Sequence, residues 1–194
     1  ESTKKQVAAL GNGLQSLGKG ISKAVTAPIV GIGTAAVGTA VSFLSLRESA
    51  QTAFSTMLGS GEAASKMIGD LYTFAKKTPF KFDGMMQSAQ QLISMGMAAE
   101  NVIPTLTAVG DAAAASGKGQ EGFGAITAAL GKMQAQGQAS LEEIWSLSDN
   151  GVQALQILAN KSGRSIDEMK EAISDGAVES GWAIQALAEG IEEG

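Results

Sequence analysis

Apolar residues recur three or four positions apart along most of the chain, with polar residues between them, which is the period of a helix that buries one face. The pattern is clearest on either side of TPFKFDG. Before it, Met67, Ile68, Leu71, Phe74 and Ala75 form one stripe; after it, Met85, Met86, Ala89, Leu92 and Ile93 form a second with the same spacing. Proline lacks an amide hydrogen and drives the residue before it out of the α region, so Pro79 predicts a helix end at Thr78. Two helices then meet at an elbow of Thr78, Pro79, Phe80 and Phe82, where the phenylalanines can seal the wedge between them.

The spacing returns in Val102, Ile103, Leu106, Val109 and Ala113, on a helix that Asn101 is expected to cap. Pro104 then falls in the first turn, where amides have no intrahelical acceptor. Upstream, Arg47 to Leu58 reads as a helix with Ala50, Ala53, Phe54 and Met57 on one side, broken by LGSGE. Ser60 is placed to cap the next helix, with Glu62 at the positive end of its dipole. Downstream helices are predicted through Ile126, Leu130 and Met133; Val152, Leu155 and Leu158; Ile166, Met169 and Ile173; and Ile184, Leu187, Ala188 and Ile191. Gly96, Gly137, Gly151, Gly163 and Gly176 mark the breaks. Ser140 with Glu143 and Ser165 with Glu168 both read as capping boxes, and Trp145 is expected to anchor the core. No alternating run of strand length occurs. The fold class is therefore all-α, a domain of short amphipathic helices with the elbow packed against the later ones.

The N-terminal quarter differs. Glu1 to Lys23 has Val7, Leu10, Leu14, Leu17 and Ile21 at helical spacing, diluted by glycine, and Ala24 to Leu46 contains no charged residue. Residues 1–46 are predicted to form a Gly/Ala-rich apolar helical arm, and 47–194 the helical domain. The uncharged stretch is long enough to cross a bilayer, and Gly31, Ala35 and Thr39 form a small-residue stripe suited to close helix packing. Pro28, the threonines and the many glycines and alanines weigh toward a buried or self-associating helix. Pro28, Ile29, Val30, Ile32, Val37, Val41, Phe43 and Leu44 are its candidate membrane or self-association residues.

Candidate chemistry is sparse. The chain has no cysteine and no histidine, which removes disulfides, thiolate and imidazole metal ligands, and Ser-His or Cys-His pairs. Gly13, Gly18 and Lys19 approach a phosphate-binding loop, but Gly20 stands where Ser or Thr would bind magnesium and no strand precedes it. Gly117, Gly119 and Gly122 match a dinucleotide fingerprint, with Glu142 and Glu143 further on, yet follow an alanine-rich helix where the site requires a strand. That glycine loop is read as a flexible hinge. Gly110, Gly117, Gly124 and Gly131 fall seven apart, a spacing that either marks a close-packed seam or is chance. Asp70, Asp83 and Asp111 are isolated carboxylates on polar faces. No catalytic, cofactor-binding or metal site is expected. The net charge of −5 disfavours nucleic acid as the main partner.

The ordered series of segments is more specific than any one of them. FAKKTPF followed by an aromatic, an acid and AQQLISMG resembles the N-terminal conserved region of phage tail tape measure proteins. The likeness extends upstream through TAPIVGIG, Arg47, Ser49, Ala50, Phe54 and Met57-Leu58-Gly59, and downstream through VGDAAAASGKG, ITAALGKMQAQGQAS and the Gly151 region. It covers nearly all of the chain from Leu17 onward. The resemblance implies a structural protein, not an enzyme, that sets tail length and organises assembly of the tail tube and tip. It further implies a place in the tail lumen or tip of the virion, contact with tube and baseplate hub proteins, self-association, and transient host-membrane contact at genome delivery. Acids at the end of the last helix, Glu189, Glu192 and Glu193, oppose its dipole, so the chain is expected to be a fragment of a longer one.

The uncharged stretch yields a two-part test. Deleting residues 24–46 should reduce self-association in light scattering, because an apolar helix in water is an association site; liposome flotation of the intact chain should show binding only once that association is relieved. A monomeric intact chain that also ignores lipid would remove both roles.

Overall fold

The computed structural model describes the backbone of residues 37–193 and side chains from residue 45. Nine helices occupy the described residues: α1 Val37–Leu58, α2 Gly61–Ala75, α3 Phe82–Ser94, α4 Ala99–Ala115, α5 Gly119–Gln136, α6 Leu141–Asp149, α7 Ala154–Ser162, α8 Ile166–Ser174 and α9 Ser180–Glu193. The fold is all-α, with no strand among the described residues. The chain divides into two compact units, Glu1–Arg47 and Glu48–Gly194.

In the second unit, α4 and α5 are central. Helix α3 lies against both; α2 packs on α3 and α4; α9 crosses α4, α5 and α7; α6 joins α5 to α7, and α8 closes against α7 and α6. The stripes read from periodicity supply the core: Met67, Ile68 and Leu71 of α2, Met85, Met86, Ala89 and Leu92 of α3, and Val102, Leu106, Val109 and Ala113 of α4 are buried. Many of these side chains are small, so the helices must approach closely to exclude water.

The elbow is packed with aromatic rings. Helix α2 ends at Ala75, three residues before Thr78, whose hydroxyl donates to the Phe74 carbonyl at 3.2 Å. Pro79 is exposed and Phe80 is buried. The Phe80 ring lies 4.7 Å from that of Phe123 on α5, tilted by 36°. The Phe80 and Phe74 rings cover Gly110 of α4: a Cβ built there would sit 3.3 Å from Phe80 and 3.1 Å from Phe74. Phe82 is half-buried and meets Tyr72 edge-on at 5.7 Å. The backbone amide of Lys81, the N-cap residue of α3, donates to the Gln120 side chain of α5 at 3.0 Å, which satisfies one of the free amides at that helix start.

Helix ends follow the sequence in most places. Ser60 accepts from the Ala63 amide at 3.2 Å, and Gly137 and Gly163 close α5 and α7 with φ of 74° and 70°, a left-handed geometry that glycine adopts without steric cost. Ser165 and Glu168 form a full reciprocal box. Its Glu168 carboxyl is held below the usual carboxylate range, first by the Ser165 amide and then by the Ser165 hydroxyl. At Ser140 only half a box forms. Its hydroxyl accepts from the Glu143 amide at 3.5 Å, while the buried Glu143 carboxylate turns to that hydroxyl and lies 3.8 Å from Lys132.

Several expectations are corrected. Helix α4 starts at Ala99, with Ala98 as the N-cap, so Asn101 lies inside the first turn and Pro104 just beyond it. Glu100, whose carbonyl the proline leaves without a helical donor, is itself exposed. Trp145 is 47% exposed and Met57 43% exposed. On α6 the buried face is Glu143, Ile144 and Leu147, and Trp145 is turned about 100° from Ile144. The expected glycine hinge is shorter than read: Gly122 and Gly124 lie inside α5, and only Ser116 to Lys118 join it to α4. A short antiparallel bridge also ties the start of α6 to the start of α9, the Ala139 amide donating to the Val178 carbonyl at 2.8 Å and the Ser180 amide to the Gly137 carbonyl at 3.1 Å.

Phe80→Ala should cost about 3 to 5 kcal/mol in urea or thermal unfolding, the usual penalty for emptying a buried phenylalanine site. Phe82→Ala, at a half-buried ring, should cost less. Equal losses at the two positions would mean that the Phe80–Phe123 contact is not the anchor.

Candidate functional site

A groove among the described residues carries an exposed aromatic. It has a volume of about 520 Å³ and lies between the end of α7 with the α7–α8 turn, which contribute Lys161, Ser162 and Arg164, and the entry to α9, which contributes Ala177, Val178, Glu179 and Trp182. Trp182 is 40% exposed although Ala183 and Ile184 beside it are buried. The short bridge to Gly137 and Ala139 fixes the α9 entry, and therefore the floor at Val178.

Lys161 forms the far wall. Its ammonium donates to Glu193 at 2.8 Å and to Glu189 at 3.5 Å, tying the end of α7 to the last turn of α9. Its pKa is raised, chiefly by the hydrogen bond to Glu193 against some loss of hydration. The Glu189 carboxyl is held down by the Gln185 amide first and Lys161 second. Ion pairs this exposed contribute little to stability; here they fix the orientation of a wall.

The residues singled out from sequence are placed as follows. Thr78, Pro79, Phe80 and Phe82 all lie at the α2–α3 elbow. Val37, Val41, Phe43 and Leu44 lie within α1, whereas Pro28, Ile29, Val30 and Ile32 fall outside the described residues. The glycines of the dinucleotide-like motif follow helix α4 and not a strand. Asp70 pairs with Lys66 at 2.9 Å, one turn away on the same helix, and Asp83 and Asp111 are exposed. Among the described residues no group of three or more His, Cys, Asp or Glu side chains is arranged to hold a metal ion. No described helix is long and apolar enough to cross a membrane.

Sequence reading did not single out the Trp182 groove. The one available signal is that Trp182 stands two residues from Ile184 and five from Leu187, off the apolar stripe of its helix.

Residues 38–194 match the sequence model of a family described as tape measure protein. The chain belongs to the tape measure protein family. Along 193 residues it is 29% identical to the Mu-like prophage FluMu protein gp42 of Haemophilus influenzae, an alignment that covers 95% of this chain and 29% of that relative. The chain thus spans less than a third of the length of the curated relative it matches. No solved structure matches it. This is a phage tail protein of a structural family, and the matched region contains both the elbow and the groove.

The Lys161 tie has a defined pH window. Glu189, with its pKa lowered, contributes above the ordinary carboxylate range and is lost as pH falls through the lowered value. Lys161, with its pKa raised, contributes fully below the ordinary lysine range and is lost as pH rises through the raised value. Protection of the last turn of α9 from hydrogen exchange, taken relative to the intrinsic base-catalysed rate, should be greatest between these limits. Lys161→Met should speed that exchange and flatten its dependence on carboxylate titration; identical protection in the variant would show that the tie orders nothing.

Proposed function

We propose that this segment is a helical structural module of a tail tape measure protein, whose full length sets tail length and which organises tube and tip assembly. The match of residues 38–194 to the tape measure family carries this reading. An all-helical body supports it, because a helix advances about 1.5 Å per residue and converts chain length into physical length. The module's partners are the tube and the tip or baseplate hub, with further copies of itself, and the protein leaves the tube at genome delivery. Its place is the tail lumen or tip. Nucleic acid is not a primary partner.

A second reading, insertion of the N-terminal segment into the host membrane during delivery, is favoured by the charge-free run from Ala24 to Leu46. That run can first be shielded in the assembled particle and later exposed, so the two roles succeed one another.

In the intact phage or prophage, removing about 100 residues of helix elsewhere in the parent chain should shorten tails by about 150 Å in electron micrographs. Removing residues 38–194 should instead abolish ordered tails. Tails of unchanged length in the first deletion, or normal tails in the second, would overturn the corresponding role.

A further inference from the structure

We propose that Asn150 is a site of spontaneous deamidation that the last turn of α6 holds in check. Among the described residues the asparagines are Asn101, Asn150 and Asn160, and they precede Val102, Gly151 and Lys161. Only Gly151 has no side chain to hinder attack by its backbone nitrogen on the side-chain amide before it. Gly151 is also exposed, so water can take up the amide proton. In that reaction the Gly151 nitrogen bonds to Cγ of Asn150 and ammonia leaves, closing a five-membered succinimide. Water then opens the ring at either carbonyl and gives aspartate or isoaspartate. The net change consumes a water and releases ammonia, with no oxidant or reductant.

The fold opposes the approach of the two groups. Asn150 is the C-cap residue of α6, with φ of −97° and ψ of 14°. At that ψ the Gly151 nitrogen eclipses the Asn150 backbone nitrogen and not Cβ, so the ring cannot close without rotation about the Cα–C bond. Rotation breaks the hydrogen bond that the Gly151 amide donates to the Ser148 carbonyl at 3.0 Å. The electrophile is held as well, because Asn150 Nδ2 donates to the Ser146 carbonyl at 2.8 Å. A further tie comes from outside the helix, where the Lys118 ammonium donates to the Asp149 carbonyl. Gly151 lies against Ser116 of the same α4–α5 turn, so closely that a Cβ built on it would fall 2.5 Å from the Ser116 Cβ. Deamidation therefore waits on local opening of this corner. Its product does not fit back. Aspartate in place of Asn150 loses the donor to Ser146 and puts negative charge at the negative end of the α6 dipole. Isoaspartate adds a carbon to the backbone next to buried Val152 and displaces the link from α6 to α7. The change is irreversible and accumulates with the age of the chain, whatever its role in tail length.

The experiment is peptide mass mapping of the full chain after incubation, folded and in guanidinium at the same pH and temperature, with isoaspartate counted by isoaspartyl methyltransferase labelling. Conversion at Asn150 should be at least about tenfold faster in guanidinium than in the folded chain, as protection by a closed turn requires, and should yield both products. Asn12, which also precedes a glycine, is the standard in guanidinium, where the two sites should convert at like rates. Gly151→Ala should suppress conversion there, where only local chemistry acts. Folded Lys118→Met, with circular dichroism unchanged, should convert faster than the folded wild type, and Asn150→Asp should speed hydrogen exchange in the last turn of α6. Conversion of Asn12 without Asn150 in guanidinium would overturn the site, and equal rates at Asn150 in the folded and unfolded chain would overturn the protection. A folded Lys118→Met rate equal to that of the wild type would overturn the part assigned to the α4–α5 turn.

Discussion

The contact of Phe80 with Phe123 over Gly110 is the constraint on which the elbow and its attachment depend. Proline breaks the chain between α2 and α3, and without an anchor the two amphipathic helices would have no fixed angle. Phe80 provides that anchor by reaching α5 across a glycine of α4, where any larger residue would press on the Phe74 and Phe80 rings. Gln120 secures the same corner from the polar side by accepting the Lys81 amide. Four helices are thereby joined at one small, largely aromatic point.

Away from that corner the body is held by thin but continuous packing. Its core has few large rings, and alanine and glycine let helix backbones approach until methyl groups and short side chains exclude water. A domain built this way relies on its helix ends, because short helices have as many orphan backbone groups as long ones and fewer internal bonds to offset them. The Ser60 cap, the Ser165–Glu168 box, the left-handed glycines and the bridge from Gly137–Ala139 to Val178–Ser180 satisfy those groups.

Membership of the tape measure protein family gives this architecture its setting. A structural protein needs surfaces more than pockets, and the polar chemistry of the described residues is directed to caps, ion pairs and solvent. The chain covers 29% of the length of its prophage relative.

Periodicity by itself determined the all-α class, most helix boundaries and most core residues, because burying one face of a helix leaves a direct imprint at 3.6 residues per turn. Glycine and serine positions located the breaks for an equally local reason, since left-handed turns and side-chain caps are set by a few neighbouring residues. Helix α4 starts at Ala99 and not after Asn101 because Ala98 caps it through backbone geometry alone, with no side-chain signal in the sequence. Trp145 is exposed despite its size because it lies off the stripe of its own helix, and phase decides the face. Only the tertiary structure could bring Phe80 to Phe123 and Gly110, or Lys161 to Glu189 and Glu193, or set Trp182 beside Arg164. These partners are separated by tens of residues, and their meeting depends on helix crossing angles and loop paths, which the local pattern of apolar and polar positions does not encode.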